Sequence, residues 1–140
     1  MITGFTISTI EGKVESIDSL QKQRFPRLNI NLEKVTSEQD KVKVFYTFVA
    51  DYFDGDANSK ASKSVGQLKI GGFVEVKDSK DAIGTIMKKW DDTKTLPIEL
   101  AEEIINGLNF RCSATGTLVA YGLGLIPPMV ISQTKIQEQK

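Results

Sequence analysis

The hydrophobic period of this chain changes once, near residue 78, and that change limits the folds it can adopt. Before this point apolar and polar residues alternate in LNINL at 28–32, KVKVFYTFVADYF at 41–53 and QLKIGGFVEV at 67–76. A period of two residues is typical of strands with one buried face. Residues 5–15 mix apolar and polar residues in a similar way. The pattern therefore predicts about four strands before residue 78.

After residue 78 the apolar spacing is helical. Ile83, Ile86, Met87 and Trp90 share one face of a short helix, for which Asp78 or Ser79 can serve as N-cap. A second, longer helix is predicted to begin with Pro97 at its first position and to run to about residue 121. Strands followed by two helices favour the α+β class, an antiparallel sheet with both helices on one face. We expect a single domain over residues 1–140.

Composition limits the classes of function. The chain has 18 basic and 18 acidic residues, so no long-range field of one sign favours nucleic acid or an acidic membrane. No apolar run reaches the roughly 20 residues of a membrane span, so we expect no membrane insertion. The chain lacks histidine, and we therefore expect no enzyme activity, no cofactor and no metal. The N-terminal segment does not resemble a targeting signal, and we expect a cytoplasmic protein.

Three local patterns have simple structural interpretations. Asp54 to Asn58 resembles the start of a calcium loop, but Ser59 and Val65 occupy the positions that need glycine and glutamate. Cys112 lies among apolar helix positions, which indicates a structural thiol. The Gly71-Gly72 pair within a strand pattern indicates a bulge or a close approach of another group.

The long helix is apolar around much of its circumference. A helix of this kind is expected to pack on its own sheet and on a second surface, such as a partner subunit in a symmetric assembly. The residues that we predict at such an interface are Ile104, Gly107 and Leu118.

The order of four segments resembles the SecB-like chaperone family. The segments are the strand GQLKIGGFVEV, a short helix ending near Trp90, LPIELAEEIINGLNFRC at the start of the long helix, and LGLIPPMV after it. The resemblance implies a four-stranded antiparallel sheet with two helices and assembly as homodimers or homotetramers. It also implies that the protein holds unfolded or non-native polypeptides without a nucleotide.

The resemblance also implies an apolar groove for client segments. Two adjacent prolines, Pro127 and Pro128, are expected to end the long helix and to extend the residues that follow. Such a segment beside a sheet can form one wall of a groove. The positions at which we predict client contacts are Phe25, Trp90, Leu96, Leu125, Ile126 and Met129. The alternative is that these residues belong to the core or to a subunit interface.

The chain departs from the bacterial export chaperones in one respect that affects function. Those proteins are acidic, whereas the net charge here is zero, so we do not expect docking on a translocation motor. Two other interpretations stay open. One is a carrier of a small hydrophobic ligand, in which the sheet and long helix enclose a cavity. The other is an interaction protein directed at one partner, such as an antitoxin.

Overall fold

The computed structural model describes residues 2–15, 25–54 and 64–128. Its elements, in chain order, are β1 (Ile2–Val14), β2 (Arg27–Glu38), β3 (Lys41–Phe53), β4 (Ser64–Lys77), α1 (Lys80–Thr93) and α2 (Ile98–Leu123). This order confirms the predicted α+β class, with four strands followed by a short and a long helix. No helix among the described residues is long and apolar enough to cross a membrane.

The four strands form one antiparallel sheet in the order β1-β4-β3-β2. A tight hairpin joins β2 to β3, in which Glu38 pairs with Lys41 and Gln39 takes a positive φ of 53°. The first strand, β1, pairs with β4, which lies more than fifty residues later in the chain. This long-range pairing leaves β1 and β2 at the two edges of the sheet.

Both helices cover the same face of the sheet. Helix α1 packs on β2, and α2 packs on β1 and β4. The even-numbered residues of β3 form the centre of the core beneath them, and all are buried: Val42, Val44, Tyr46, Phe48, Ala50 and Tyr52. The odd-numbered residues of β3, such as Lys43 and Phe45, lie on the opposite face, which we call the open face.

Glycines permit the close contacts of β1 with α2 and with β4. A Cβ atom on Gly12 would lie 2.7 Å from Leu123 and 2.9 Å from Val119, so the absent side chain lets α2 approach β1. A Cβ atom on Gly72 would collide with the backbone oxygen of Thr6. The register of β1 also shifts opposite Gly71 and Gly72, which confirms the irregularity predicted there.

Capping groups set the helix boundaries. The Ser79 hydroxyl accepts a hydrogen bond from the Ala82 N–H at 3.2 Å, so Ser79 is the N-cap of α1. Pro97 is the N-cap of α2 rather than its first helical residue. The expectation that the two prolines end α2 was wrong. The helix already ends at Leu123, because Gly124 adopts the left-handed conformation with φ 75° and its N–H turns back to the carbonyls of the last turn.

Candidate polypeptide-binding site

The segment after α2 lies against the core of its own chain. The Leu125 N–H donates to the Ala120 carbonyl at 2.9 Å, and the Tyr52 hydroxyl donates to the Ile126 carbonyl at 2.5 Å. Leu125 is buried, whereas Ile126 is half-buried. Residues 125–128 therefore cover the ends of β3 and β4, and of the two predicted client residues among them only Ile126 is partly accessible.

A small residue on α2 makes room for this segment. A Cβ atom on Gly116 would lie 2.8 Å from Pro128, whereas one on Gly66 of β4 would meet Leu125 at the ordinary contact distance of 3.4 Å. Pro128 is fully buried. Residues 125–128 thus pack on α2 and β4, whereas Met129 lies outside the described residues.

Two further predicted client positions are buried within the chain. Trp90 is 7% exposed on the face of α1 that packs against the sheet, together with Ile83 and Ile86. Leu96, in the connection between the helices, is 4% exposed. In the isolated chain neither side chain offers a surface that a client could contact without movement of α1 or of the connection.

Phe25 has the opposite environment. It precedes the buried Pro26 at the start of β2 and is 59% exposed. Phe25 and Leu125 do not line a common groove among the described residues. It lies at the end of an edge strand instead.

We define the β2–α1 edge as the edge strand β2, the residue Phe25 before it and the half-buried Met87 of α1. On its helix-covered side, β2 has a row of half-buried apolar side chains at Leu28, Ile30 and Leu32. Among the described strands β2 pairs only with β3, so the backbone groups along its outer side have no strand partner. A register shift after Leu32 limits the regular part of this edge to its first half. Exposed apolar surface and free strand groups can both receive an extended polypeptide.

The predicted interface residues on α2 lie in different environments. Ile104 is fully buried in the core of the chain. Gly107 is half-buried, and a Cβ atom there would collide with the ring of Phe5. Leu118 is 77% exposed, as is Phe110, and Tyr121 is 87% exposed. Phe110 was not among the predicted residues, although its spacing of eight residues from Leu118 places both on one helix face.

The open face of the sheet is mainly polar. Its half-buried rings Phe45 and Phe73 lie 5.7 Å apart, with the Lys34 and Lys43 ammonium groups 5.0 Å and 4.9 Å from the Phe45 and Phe73 ring centres respectively. A cleft of about 310 Å³ beside them is lined by Thr36, Ser37, Glu38, Lys41, Lys43 and Phe45. A lipid or other apolar ligand needs an enclosed apolar cavity. This cleft does not provide the cavity that the carrier hypothesis requires.

Cys112 is a core residue. Burial raises the pKa of its thiol to about 11, an effect that a hydrogen bond with Tyr46 only partly offsets. Burial likewise raises the pKa of Tyr46, whose hydroxyl donates to the Thr6 carbonyl at 3.1 Å. A thiol that stays protonated at neutral pH is a poor nucleophile. Cys112 therefore has the structural role that its position predicted.

Comparisons with known proteins show a similarity in structure. No family model matches the sequence, and no curated protein matches it. Among solved structures, the chain is similar to the Mycobacterium tuberculosis Rv1957 SecB-like chaperone, solved in complex with a ChAD peptide from the Rv1956 HigA1 antitoxin. The two superpose with a TM-score of 0.66 at 10% sequence identity, over 98% of this chain and 92% of that chain. The chain therefore has the SecB-like fold that the order of its sequence segments predicted.

Proposed function

We propose that this protein is an ATP-independent holdase chaperone that binds unfolded or non-native polypeptide segments. The observation that carries the proposal is the match, over nearly the full length of both chains, to a SecB-like chaperone solved with a bound peptide. The proposal requires neither a cofactor nor an active site. It places the protein in the cytoplasm, where Cys112 would remain reduced.

The β2–α1 edge is the surface that we assign to the client. An extended segment can pair with the outer backbone groups of β2, while its apolar side chains contact the row at Leu28, Ile30 and Leu32. Phe25 and Met87 provide further apolar contacts, and a methionine adapts its shape to different clients. Backbone pairing is independent of sequence, as a chaperone with many clients requires.

One such edge would bind weakly. Each square ångström of apolar surface removed from water contributes roughly 25 cal/mol, and ordering an unfolded segment opposes much of that gain. Several edges in one assembly can hold one client at several points, which raises the overall affinity by avidity. We therefore include self-association, as a homodimer or homotetramer, in the proposed function.

The test compares two exposed apolar residues on opposite edges of the sheet. Phe25 is 59% exposed beside β2, and Ile10 is 48% exposed on β1. We expect the wild-type protein to suppress the aggregation of a chemically denatured client without nucleotide, as measured by turbidity. Phe25→Ser should weaken binding of a fluorescent, permanently unfolded protein by roughly 5- to 30-fold, in line with the loss of one anchoring side chain.

Ile10→Ser is the matched control, and it should bind this client with the affinity of the wild type. Circular dichroism should give the same spectrum for all three proteins, because both substituted side chains are exposed. Equal losses in the two variants would reject the β2–α1 edge as the client site. A wild type that neither binds the client nor suppresses turbidity would reject the general holdase.

A second candidate is an interaction protein that recognises one specific segment. The observation that favours this candidate is that the similar chaperone was solved in complex with a peptide from an antitoxin. Under this candidate the generic unfolded protein would not bind. One labelled peptide from a library of short extended sequences would bind, and an unlabelled copy of the same peptide would displace it. Binding of many unrelated apolar peptides with similar affinities would favour the general holdase.

A further inference from the structure

Two phenylalanines lie side by side at the centre of the open face. Phe45 of β3 pairs with Phe73 of β4, and these strands are the two inner strands of the sheet. Both rings are half-buried, with centres 5.7 Å apart and planes inclined by 51°. Neither ring belongs to the core beneath the helices, which pack on the opposite face. Partly exposed rings outside the core indicate a surface that contacts another molecule.

Each ring presents one face to an ammonium group that another anion can still reach. The Lys34 Nζ lies 5.0 Å from the centre of the Phe45 ring, and the Lys43 Nζ lies 4.9 Å from the centre of the Phe73 ring. Neither ammonium forms a salt bridge with a carboxylate that the structure describes. Lysine side chains are flexible, so a flat ligand ring can displace the ammonium groups from the ring faces. Both cations would then be available to an anionic part of the same ligand.

The open face also has an excess of positive charge. The strand register and the hydrogen bond from Thr47 to Glu33 determine which charged residues lie on it. Seven are basic and five are acidic: Lys13, Arg27, Lys34, Lys41, Lys43, Lys69 and Lys77, against Glu11, Glu33, Glu38, Asp51 and Glu75. Because the whole chain has no net charge, the rest of the chain is net negative. A balanced composition excludes a long-range field, but it does not exclude a local site for an anion.

The position of the rings favours unpaired bases over a polypeptide. An extended polypeptide binds best at a strand edge, where free backbone groups can pair with it. The inner strands β3 and β4 have no such edge, because each already pairs on both sides. Unpaired bases need only ring faces for stacking and cations near their phosphates. In a duplex the bases stack on one another, so their faces are not available to a protein ring.

We propose that the open face binds single-stranded nucleic acid, with bases stacked on Phe45 and Phe73 and with Lys34 and Lys43 contacting the phosphates. Aromatic side chains on an open four-stranded sheet can stack two or three bases. The rings lie farther apart than the rise of about 3.4 Å between stacked bases, so the two bases would be separated from each other. The inference does not rest on the proposed chaperone function. Its site lies on the opposite face from the apolar row of the β2–α1 edge.

The cleft beside Phe45 gives a prediction of opposite sign. The hydroxyl groups of Thr36 and Ser37 line this cleft and can donate to phosphate or sugar oxygens. Glu38 lines it as well, and its carboxylate would repel a phosphate. Glu38→Gln should therefore strengthen nucleic-acid binding by about twofold or more. A destabilised or misfolded variant would not produce such a gain.

Fluorescence anisotropy with labelled RNA and DNA strands of about 12 nucleotides, in about 50 mM salt, tests the stacking. The wild type should bind the single strands with a Kd on the order of micromolar and the matching duplex more weakly. Phe73→Leu should raise the Kd by about tenfold, because it removes one stacking ring and keeps an apolar side chain. Phe110→Leu is the matched control on the exposed side of α2, and its Kd should equal that of the wild type.

The salt dependence tests the phosphate contacts with variants that alter only surface charge. Lys34→Gln with Lys43→Gln should lower the slope of log K against log salt by about 1.4, since each phosphate contact on a single strand contributes about 0.7. Lys80→Gln with Lys88→Gln removes the same charge from exposed positions of α1 and should leave the slope unchanged. Equal changes in the two double variants would show that only the overall charge matters, and would reject the site.

Photocross-linking determines where the bases lie. A strand that carries 5-iodouridine should form adducts with the peptides that contain Phe45 or Phe73, as identified by mass spectrometry. Adducts confined to other peptides would overturn the proposal, as would a wild type that does not bind single strands. Displacement of the strand by poly-glutamate, with poly-glutamate binding equally weakened in Phe73→Leu, would assign the open face to acidic polypeptides instead.

Binding of the unfolded client, measured on the same samples, separates this proposal from the chaperone function. Phe73→Leu should bind the client as the wild type does, because Phe73 lies on an inner strand. If the client binds and the single strands do not, only the nucleic-acid site is rejected. If the single strands bind as expected and the client does not, the nucleic-acid site is supported and the holdase is rejected.

Discussion

At the level of single residues, burial determines the chemistry of the Cys112 thiol. The Cys112 side chain points from α2 into the core, where it shares a hydrogen bond with Tyr46. Burial raises the pKa of the thiol from 9.0 to about 11. Tyr46 and Tyr52 also have pKa values raised by burial. The folded protein therefore retains three protons that the unfolded chain releases at lower pH.

This difference predicts a loss of stability in alkali. Above pH 9 the unfolded state loses the Cys112 proton while the folded state keeps it, so the free energy of unfolding falls between pH 9 and about pH 11. A shift of about two pKa units corresponds to roughly 2–3 kcal/mol. Urea denaturation at pH 8 and at pH 10.5 should show this loss. In Cys112→Ala the loss should be smaller and should begin near pH 10, where the tyrosines ionise in the unfolded chain. The same pH dependence in both proteins would contradict the assignment.

The sequence predicted the chemistry of single residues better than their exposure. Cys112 occupied an apolar position, and its core location followed from the helical period. Trp90 and Leu96 are equally apolar, but the prediction places them in a client groove, whereas the structure shows them buried. Hydrophobicity shows that a side chain avoids water. It does not show whether the chain itself or another molecule covers that side chain, and this information lies in the tertiary packing.

At the level of elements, the hydrophobic period predicted the strands and helices but not their arrangement. Alternation identified β2, β3 and β4 because each has one buried face. The pairing of β1 with β4 depends on contacts between residues far apart in sequence, which a local period does not report. The residue that ends α2 was predicted wrongly for a related reason. Prolines are strong helix breakers, but Gly124 precedes them and satisfies the last helical carbonyls first.

The contact between α2 and β1 makes a prediction about two glycines of one strand. A side chain on Gly12 would press against Leu123 and Val119, whereas no atom lies within 4 Å of the Cβ position of Gly4. Gly12→Val should therefore destabilise the protein by about 1–3 kcal/mol through overpacking. Gly4→Val should change the stability by less than about 0.5 kcal/mol, as for an ordinary surface substitution. Urea denaturation measures both, and equal effects would show that α2 does not press on β1 at Gly12.

At the level of the whole molecule, the proposed client edge and the interface predicted on α2 lie on different parts of the fold. The client edge is formed by β2 and α1, whereas α2 packs on β1 and β4 at the other side of the sheet. A dimer formed through α2 would therefore keep both β2 edges accessible. One client could then contact two edges at once, which is the geometry that avidity requires. The two surfaces can also be altered separately, because they share no residue.

Self-association through α2 should make the stability of the whole molecule depend on its concentration. A partner that binds only the folded state stabilises it by mass action, so the thermal midpoint of the wild type should rise by several degrees over a hundredfold increase in concentration. Leu118→Glu removes the interface without touching the core, because Leu118 is exposed on one chain. Its midpoint should not change with concentration and should match that of the dilute wild type. Differential scanning calorimetry at the two concentrations measures this difference. A wild-type midpoint that is independent of concentration would show that folding and self-association are not coupled, and that the exposed face of α2 has no partner copy in solution.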